Sequence, residues 1–184
     1  MATSHLVLVN GIPGTGKTTL AAKLSRDLDL PLIGKDMIKE MLFDQMGARE
    51  GDWSKTLGRV SSKMLNTAID TFLVQNVSII AESAFIAEFE SSSLSHIVKA
   101  HGIQCLEIYC TTEVAENERR FRERVADGSR HPVHTDGILH IDDAVRKRYE
   151  PLAIQKVISV DTTHLDDAAY MALLQNIREE LRHA

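Results

Sequence analysis

Apolar and polar positions follow two patterns along the chain. Short, almost wholly apolar runs end in glycine or a polar residue. Longer stretches follow them, in which apolar residues return every three or four positions. Leu6–Asn10 is the first short run; it lacks the in–out alternation of a half-solvated strand and predicts one buried on both faces of a parallel sheet. Leu20, Ala21, Leu24 and Leu28 then recur at helical spacing. The same reading predicts strands at Pro31–Gly34, Val77–Ala81, Gln104–Cys110 and Lys156–Asp161. It predicts a helix at Asp36–Met46 with Met37, Ile38, Met41 and Leu42 inward, and one at Lys55–Gln75 with a stripe of Leu57, Val60, Met64, Leu65, Ala68 and Phe72. Two more fall at Val114–Val125, rich in arginine, and at Leu165–Leu181, with Ala169, Ala172, Leu173 and Ile177 inward. Strands alternating with helices imply a parallel sheet covered on both faces, a three-layer α/β/α domain.

No repeat, low-complexity segment or linker divides the chain, so residues 1–184 are read as one domain. The most polar, turn-rich stretch, Asp127–Leu139, reads as a mobile flap, since a helix and a strand follow it. With 43% apolar and 26% charged residues the composition is that of an ordinary globular protein. A net charge of −5 disfavours general nucleic-acid binding, which clustered Lys and Arg would drive. Cys105 and Cys110, five residues apart in one strand, point to opposite faces; they read as buried free thiols in a reducing cytosol. No run reaches the ~18–20 apolar residues that span a bilayer, and no secretory pattern opens the chain. A cytoplasmic location without a membrane partner is the expectation.

The chemistry begins at Gly11–Ile12–Pro13–Gly14–Thr15–Gly16–Lys17–Thr18, spaced Gly-x4-Gly-Lys-Thr between a strand and a helix. Glycines at 11, 14 and 16 permit left-handed backbone and let N–H groups approach phosphate oxygens. The positive end of the following helix dipole lies at the same point. Lys17 is placed to reach the β- and γ-phosphates and Thr18 to ligate magnesium. Gly11, Pro13, Gly14, Thr15, Gly16, Lys17, Thr18 and Thr19 are thus the expected nucleotide-binding residues, with ATP and Mg2+ as cofactors.

Guanine-nucleotide switches read their base with Asn-Lys-x-Asp, which does not occur here, and motor or transporter ATPases need more chain than 184 residues. The remaining pattern resembles the P-loop kinase-like "AAA family ATPase" proteins. These are related to polynucleotide kinases, gluconate kinases, chloramphenicol phosphotransferase and zeta toxins. The resemblance covers nearly the whole chain and rests on three further segments. Pro31-Leu-Ile-Gly-Lys-Asp36 resembles a second strand ending in the acid that accepts the proton of an acceptor hydroxyl; an aspartate there also serves as a helix cap. Lys39, one turn on, stands where polynucleotide kinases place an arginine. Val77-Ser-Ile-Ile-Ala-Glu82-Ser83 resembles the strand whose terminal acid orients magnesium, with Glu82 in place of the usual aspartate. Ser83 and Phe85 would then face the acceptor. Glu118-Arg-Arg120-Phe-Arg-Glu-Arg124 resembles the start of a LID at about 118–140, its Arg120 and Arg124 clamping the donor phosphates.

His131, His134, Asp136 and His140 crowd the flap without regular metal-ligand spacing, so they read as polar lid residues, with His131 or His134 alternatively contacting the acceptor; Arg130 is a further candidate for reaching the phosphates when the flap closes. Asp161-Thr162-Thr163 resembles a loop beside the adenine, and Trp53 reads as a packing residue near the acceptor region. The resemblance implies a P-loop NTPase fold with sheet order 2-3-1-4-5. It also implies transfer of the γ-phosphoryl group of ATP to a hydroxyl of a small molecule or nucleotide-like acceptor. Lys17, Asp36, Arg120 and Arg124 are the expected catalytic residues, and Thr18 and Glu82 the metal residues. A polynucleotide 5′-hydroxyl or zeta-toxin-like kinase is the alternative among enzymes; an ATP-binding switch is the alternative outside them.

Overall fold

The structure, a computed structural model, describes residues 4–128, 130–134 and 140–182. Five parallel strands lie in the order β2-β3-β1-β4-β5: β1 (His5–Gly11), β2 (Leu32–Gly34), β3 (Ile79–Glu82), β4 (Gln104–Thr111) and β5 (Lys156–Asp161). This is the expected order. The helices are α1 (Lys17–Leu28), α2 (Lys35–Met46), α3 (Trp53–Val74), α4 (Ala87–His101), α5 (Val114–Ala126), α6 (Asp143–Arg148) and α7 (Asp167–Arg182).

The apolar run of β1 is divided between two cores. Leu6 and Leu8 join Ile79, Ala81 and Cys105 beneath α3 and α4, whereas Val7 and Val9 join Ile80, Leu106, Ile108 and Cys110 beneath α1 and α7. Side-chain alternation on a doubly covered strand produces this division. Cys105 and Cys110 accordingly sit in opposite cores as free thiols, and burial pushes both up to about 12. Among the described residues no helix is long and apolar enough to cross a membrane.

Three sequence expectations about helix faces are corrected. In α3 the buried residues are Leu57, Ser61, Leu65, Ile69 and Leu73, while Val60 and Met64 stay exposed. The face turns because Ser61 occupies a core position with its hydroxyl donating to the Leu57 carbonyl, 2.7 Å away. In α2 Met37 and Met41 are exposed and Ile38 is buried. In α7 Tyr170 and Leu174 take the inward positions expected of Ala169 and Ala172.

Helix α4 was not expected at all. Its run of serines hides the turn-spaced Glu90, Leu94 and Ile97–Val98 that it buries. Part of the expected flap, residues 135–139 with Asp136, lies outside the described residues.

Candidate active site

The site forms where β2, β3 and β1 end side by side. Glu82 at the end of β3 is level with Val9 of β1 and Gly34 of β2, so three loops leave the sheet together. The loop after β1 takes positive φ at Gly11 (148°), Gly14 (95°) and Gly16 (75°). A Cβ on Gly11 would stand 2.4 Å from the Cys110 carbonyl oxygen, and one on Gly14 would stand 2.8 Å from Asn117 Oδ1. The first contact is with backbone that cannot give way; at Gly14 the Asn117 side chain could shift, but the positive φ itself strains any other residue. Ile12 and Pro13 remain half-buried, and the Thr15 hydroxyl donates to the Ile12 carbonyl at 2.8 Å, closing the turn on itself. Gly16 caps α1, whose first turn carries Lys17, Thr18 and Thr19. A loop rich in left-handed residues that opens onto a helix N-terminus makes a concave anion site.

Lys17 is buried, with Nζ 3.9 Å from Glu82 Oε1. That oxygen is buried and, among the described residues, has no hydrogen-bond partner. Burial pushes the Glu82 carboxyl above its ordinary 4.5; Lys17 and the nearby Thr18 hydroxyl oppose the rise, and the charges of Asp36 and Glu40 reinforce it. A buried carboxylate oxygen free of hydrogen bonds among the described residues, beside a hydroxyl on the helix turn, has the donor chemistry that a hard divalent cation takes up. Thr18 and Glu82 therefore fit magnesium. Gly34 leaves room for the carboxylate, since a Cβ there would come within 3.3 Å of Glu82 Oε2.

Asp36 lies two residues past the end of β2, exposed, in the first turn of α2. Gly34 occupies the N-cap position and no side chain caps the helix, so Asp36 does not perform the capping role. Lys39 is buried and donates to Ser54 Oγ at 2.9 Å; Ser54 in turn donates to the Val133 carbonyl at 2.8 Å.

Residues 130–134 rest against the same helix. His134 pairs with Glu40 at 2.8 Å and His131 with Asp44 at 3.0 Å, while Val133 is fully buried. Arg130 stacks on Phe121 at 4.2 Å and donates to the His134 carbonyl. This part of the expected flap is thus docked on α2. Phe85 packs in the core cluster with Leu94, Ile97 and Val98 of α4, and Trp53 donates to the Gly47 carbonyl.

On the other side of the loop, Arg120 is fixed by three acceptor contacts around its guanidinium. Nε donates to Glu116 at 2.6 Å, and Nη2 donates to the carbonyls of Thr162 and Thr163 at 2.9 and 3.0 Å. Its Nη1 lies 3.6 Å from the position of a Cβ on Gly16, at the lip of the loop. Glu116, held by Arg119 and Arg120, is pulled down to about 2. Arg124, one turn further along α5, is exposed. A cavity of about 650 Å³ opens between Gly16, Thr19, Lys23, Arg120, Thr162 and Tyr170. The threonines expected beside an adenine therefore do line a space next to the loop.

Sequence reasoning missed Asn10, Glu107 and Asn117. Asn117 touches Gly14 from α5, and Asn10 and Glu107 form a buried pair under the loop. No motif marks them.

Residues 6–152 match the AAA domain family. Cytidylate kinase of Pyrobaculum calidifontis is 25% identical over 179 residues, covering 96% of this chain and 90% of that one. Among solved structures, a candidate kinase from Chloroflexus aurantiacus is 31% identical over 97% of this chain and 98% of its own, with a TM-score of 0.85. Kti12 of Chaetomium thermophilum, solved with ADP-AlF3, shares the fold at 15% identity and a TM-score of 0.66, over 95% of this chain and 97% of its own. The glycine loop, the sheet order and these matches agree: the chain belongs to the AAA domain family, as a P-loop kinase-like protein.

Proposed function

We propose that this protein transfers the γ-phosphoryl group of ATP to a hydroxyl group of a small-molecule or nucleotide-like acceptor. One juxtaposition carries the reading. Buried Lys17 and the Glu82 oxygen it faces at 3.9 Å stand at the mouth of the phosphate loop, while exposed Asp36 follows the adjoining strand with no capping duty. Lys17 and the loop amides hold the β- and γ-phosphates. Thr18 and Glu82 would hold magnesium, and when bound the ion would offset charge on the phosphoryl oxygens. Asp36 orients the acceptor hydroxyl and takes its proton as the oxygen attacks. Arg120, already oriented by Glu116 and two carbonyls, meets the donor at the lip of the loop, and Arg124 joins it from the next turn of α5.

The cytidylate kinase and the Chloroflexus kinase support phosphoryl transfer as the reaction class. The acceptor is left at its chemical class, because pocket-lining loops and not the fold decide it. A screen of sugars, antibiotics, nucleosides and 5′-hydroxyl oligonucleotides, read by ADP release, tests the proposal. Acceptor-dependent ADP release with a phosphorylated product is expected. ATP binding with only water-dependent hydrolysis across the whole screen would indicate a nucleotide switch instead.

A further inference from the structure

Beneath the phosphate loop, one buried carboxamide and the carboxylate to which it donates join three segments. Asn10, the residue before Gly11, is fully buried. Its Oδ1 accepts from the Gly11 N–H at 2.7 Å and from the Phe85 N–H at 3.0 Å. Its Nδ2 donates to Glu107 Oε1 at 2.7 Å. Glu107, 2% exposed, also accepts from the Leu152 N–H at 3.0 Å and the Ala153 N–H at 2.9 Å. The carboxamide orientation follows from these partners: flipped, it would set its NH2 against two donors and its oxygen against a carboxylate.

The three tethered segments are those that build the site. Gly11 opens the phosphate loop, Phe85 lies three residues after Glu82, and Leu152–Ala153 bring the chain back from α6 to β5. Gly11 sits at φ 148°, and Ala153 at φ 50°, a left-handed conformation unusual for alanine. Such backbone persists only where its surroundings hold it. A greasy residue at position 10 could fill the volume, but it would leave the Gly11 and Phe85 N–H groups without this acceptor and take one of three donors from the buried Glu107 carboxylate.

We infer that Asn10 and Glu107 are positioning residues of the active site, setting the phosphate loop in register with the strand end that carries Glu82 and with the returning 152–153 segment. They touch neither nucleotide nor acceptor and act through the backbone. The inference rests on the proposed ATP-binding role of the loop.

The test measures Mg·ATP affinity by calorimetry and thermal stability in parallel, on wild type, Asn10→Ala, Glu107→Gln and the double variant, with Lys17→Ala alongside. Asn10→Ala is expected to weaken Mg·ATP by about tenfold or more, as a loosened loop loses preorganisation. Glu107→Gln, which keeps size and one acceptor oxygen, is expected to weaken it by about threefold or more. The double variant should bind little worse than Asn10→Ala alone, because both act on one network.

Wild-type affinity in a folded Asn10→Ala protein, whatever its melting temperature, overturns the inference and leaves a purely structural pair. Should Asn10→Ala fail to fold, Glu107→Gln decides by the same criterion. Loss of binding in Lys17→Ala with unchanged binding in the other variants overturns this inference alone. A wild-type protein that binds no ATP overturns the donor reading, and this one with it.

Discussion

Glu82 and Lys17 face each other across 3.9 Å with both side chains almost out of solvent, yet burial outweighs the lysine and keeps the Glu82 carboxyl above 4.5. A raised carboxyl in the folded state favours folding at low pH. That contribution is lost as pH rises from 4.5 through the folded value, where the native state holds the proton that the unfolded chain releases. Glu82→Gln should therefore raise the melting temperature of the ligand-free protein at neutral pH and flatten its fall above pH 4.5. The same substitution should sharply reduce Mg-dependent activity. A variant that is less stable than wild type at neutral pH would show the carboxylate to be a net stabiliser and refute this account.

Asp36 separates a kinase from a switch. Asp36→Asn should leave ATP affinity nearly unchanged while cutting phosphoryl transfer by ~10²–10⁴, the range for removing a general base. Unaltered transfer to the true acceptor would end its catalytic role. The phosphate loop was legible because its spacing is itself the chemistry. Asn10 and Glu107 were not, since strand register and the path of residues 152–153 create their partnership across 97 positions.

Elements were legible where apolar residues alone mark the buried face, and misplaced where a polar residue does. Strand β5 has the bounds expected from sequence because its short apolar run is distinctive. Helix α3 was found, but with its face turned, since a hydrophobicity pattern passes over buried Ser61 and counts Val60 and Met64. Helix α4 escaped for the same reason in stronger form. Its innermost first-turn residue is Glu90, satisfied by the Ile86 N–H at 2.6 Å, by Ser62 at 3.0 Å and by Lys35 at 3.3 Å.

Residues 130–134 were read from their polarity as a mobile strip, yet they dock on α2 through fully buried Val133 and two histidine–carboxylate pairs. The measurable consequence is amide protection. In hydrogen exchange without nucleotide, the His134 amide, which donates to the His131 carbonyl at 3.1 Å, should exchange well below the rate of an open loop. Exchange at the unstructured rate would show that the docking is not held in solution.

At the scale of the whole molecule, function follows from where the sheet changes direction. The chain places β3 on one side of β1 and β4 on the other, so the loop after β1 opens into the crevice at the carboxyl ends of the strands, where open α/β sheets bind ligands. The cavity beside Gly16 extends this crevice towards Thr162 and Tyr170, on α7 and the segment preceding it, so a nucleotide bound there would bridge the first and last helices of the fold. Binding that couples distant parts of one cooperative domain should appear as global stabilisation. At a hundredfold excess over the dissociation constant, Mg·ATP should contribute about 2.7 kcal/mol by mass action. For a domain of this size that corresponds to a rise in melting temperature of about 5–10 °C. GTP should give a smaller rise at equal concentration, since no Asn-Lys-x-Asp element is present to read guanine. Lys17→Ala should abolish the rise while remaining folded, because the role proposed for Lys17 is to hold phosphate and its side chain belongs to neither apolar core. Equal shifts with ATP and GTP would remove the preference for adenine. An undiminished shift in Lys17→Ala would move the nucleotide away from the glycine loop altogether.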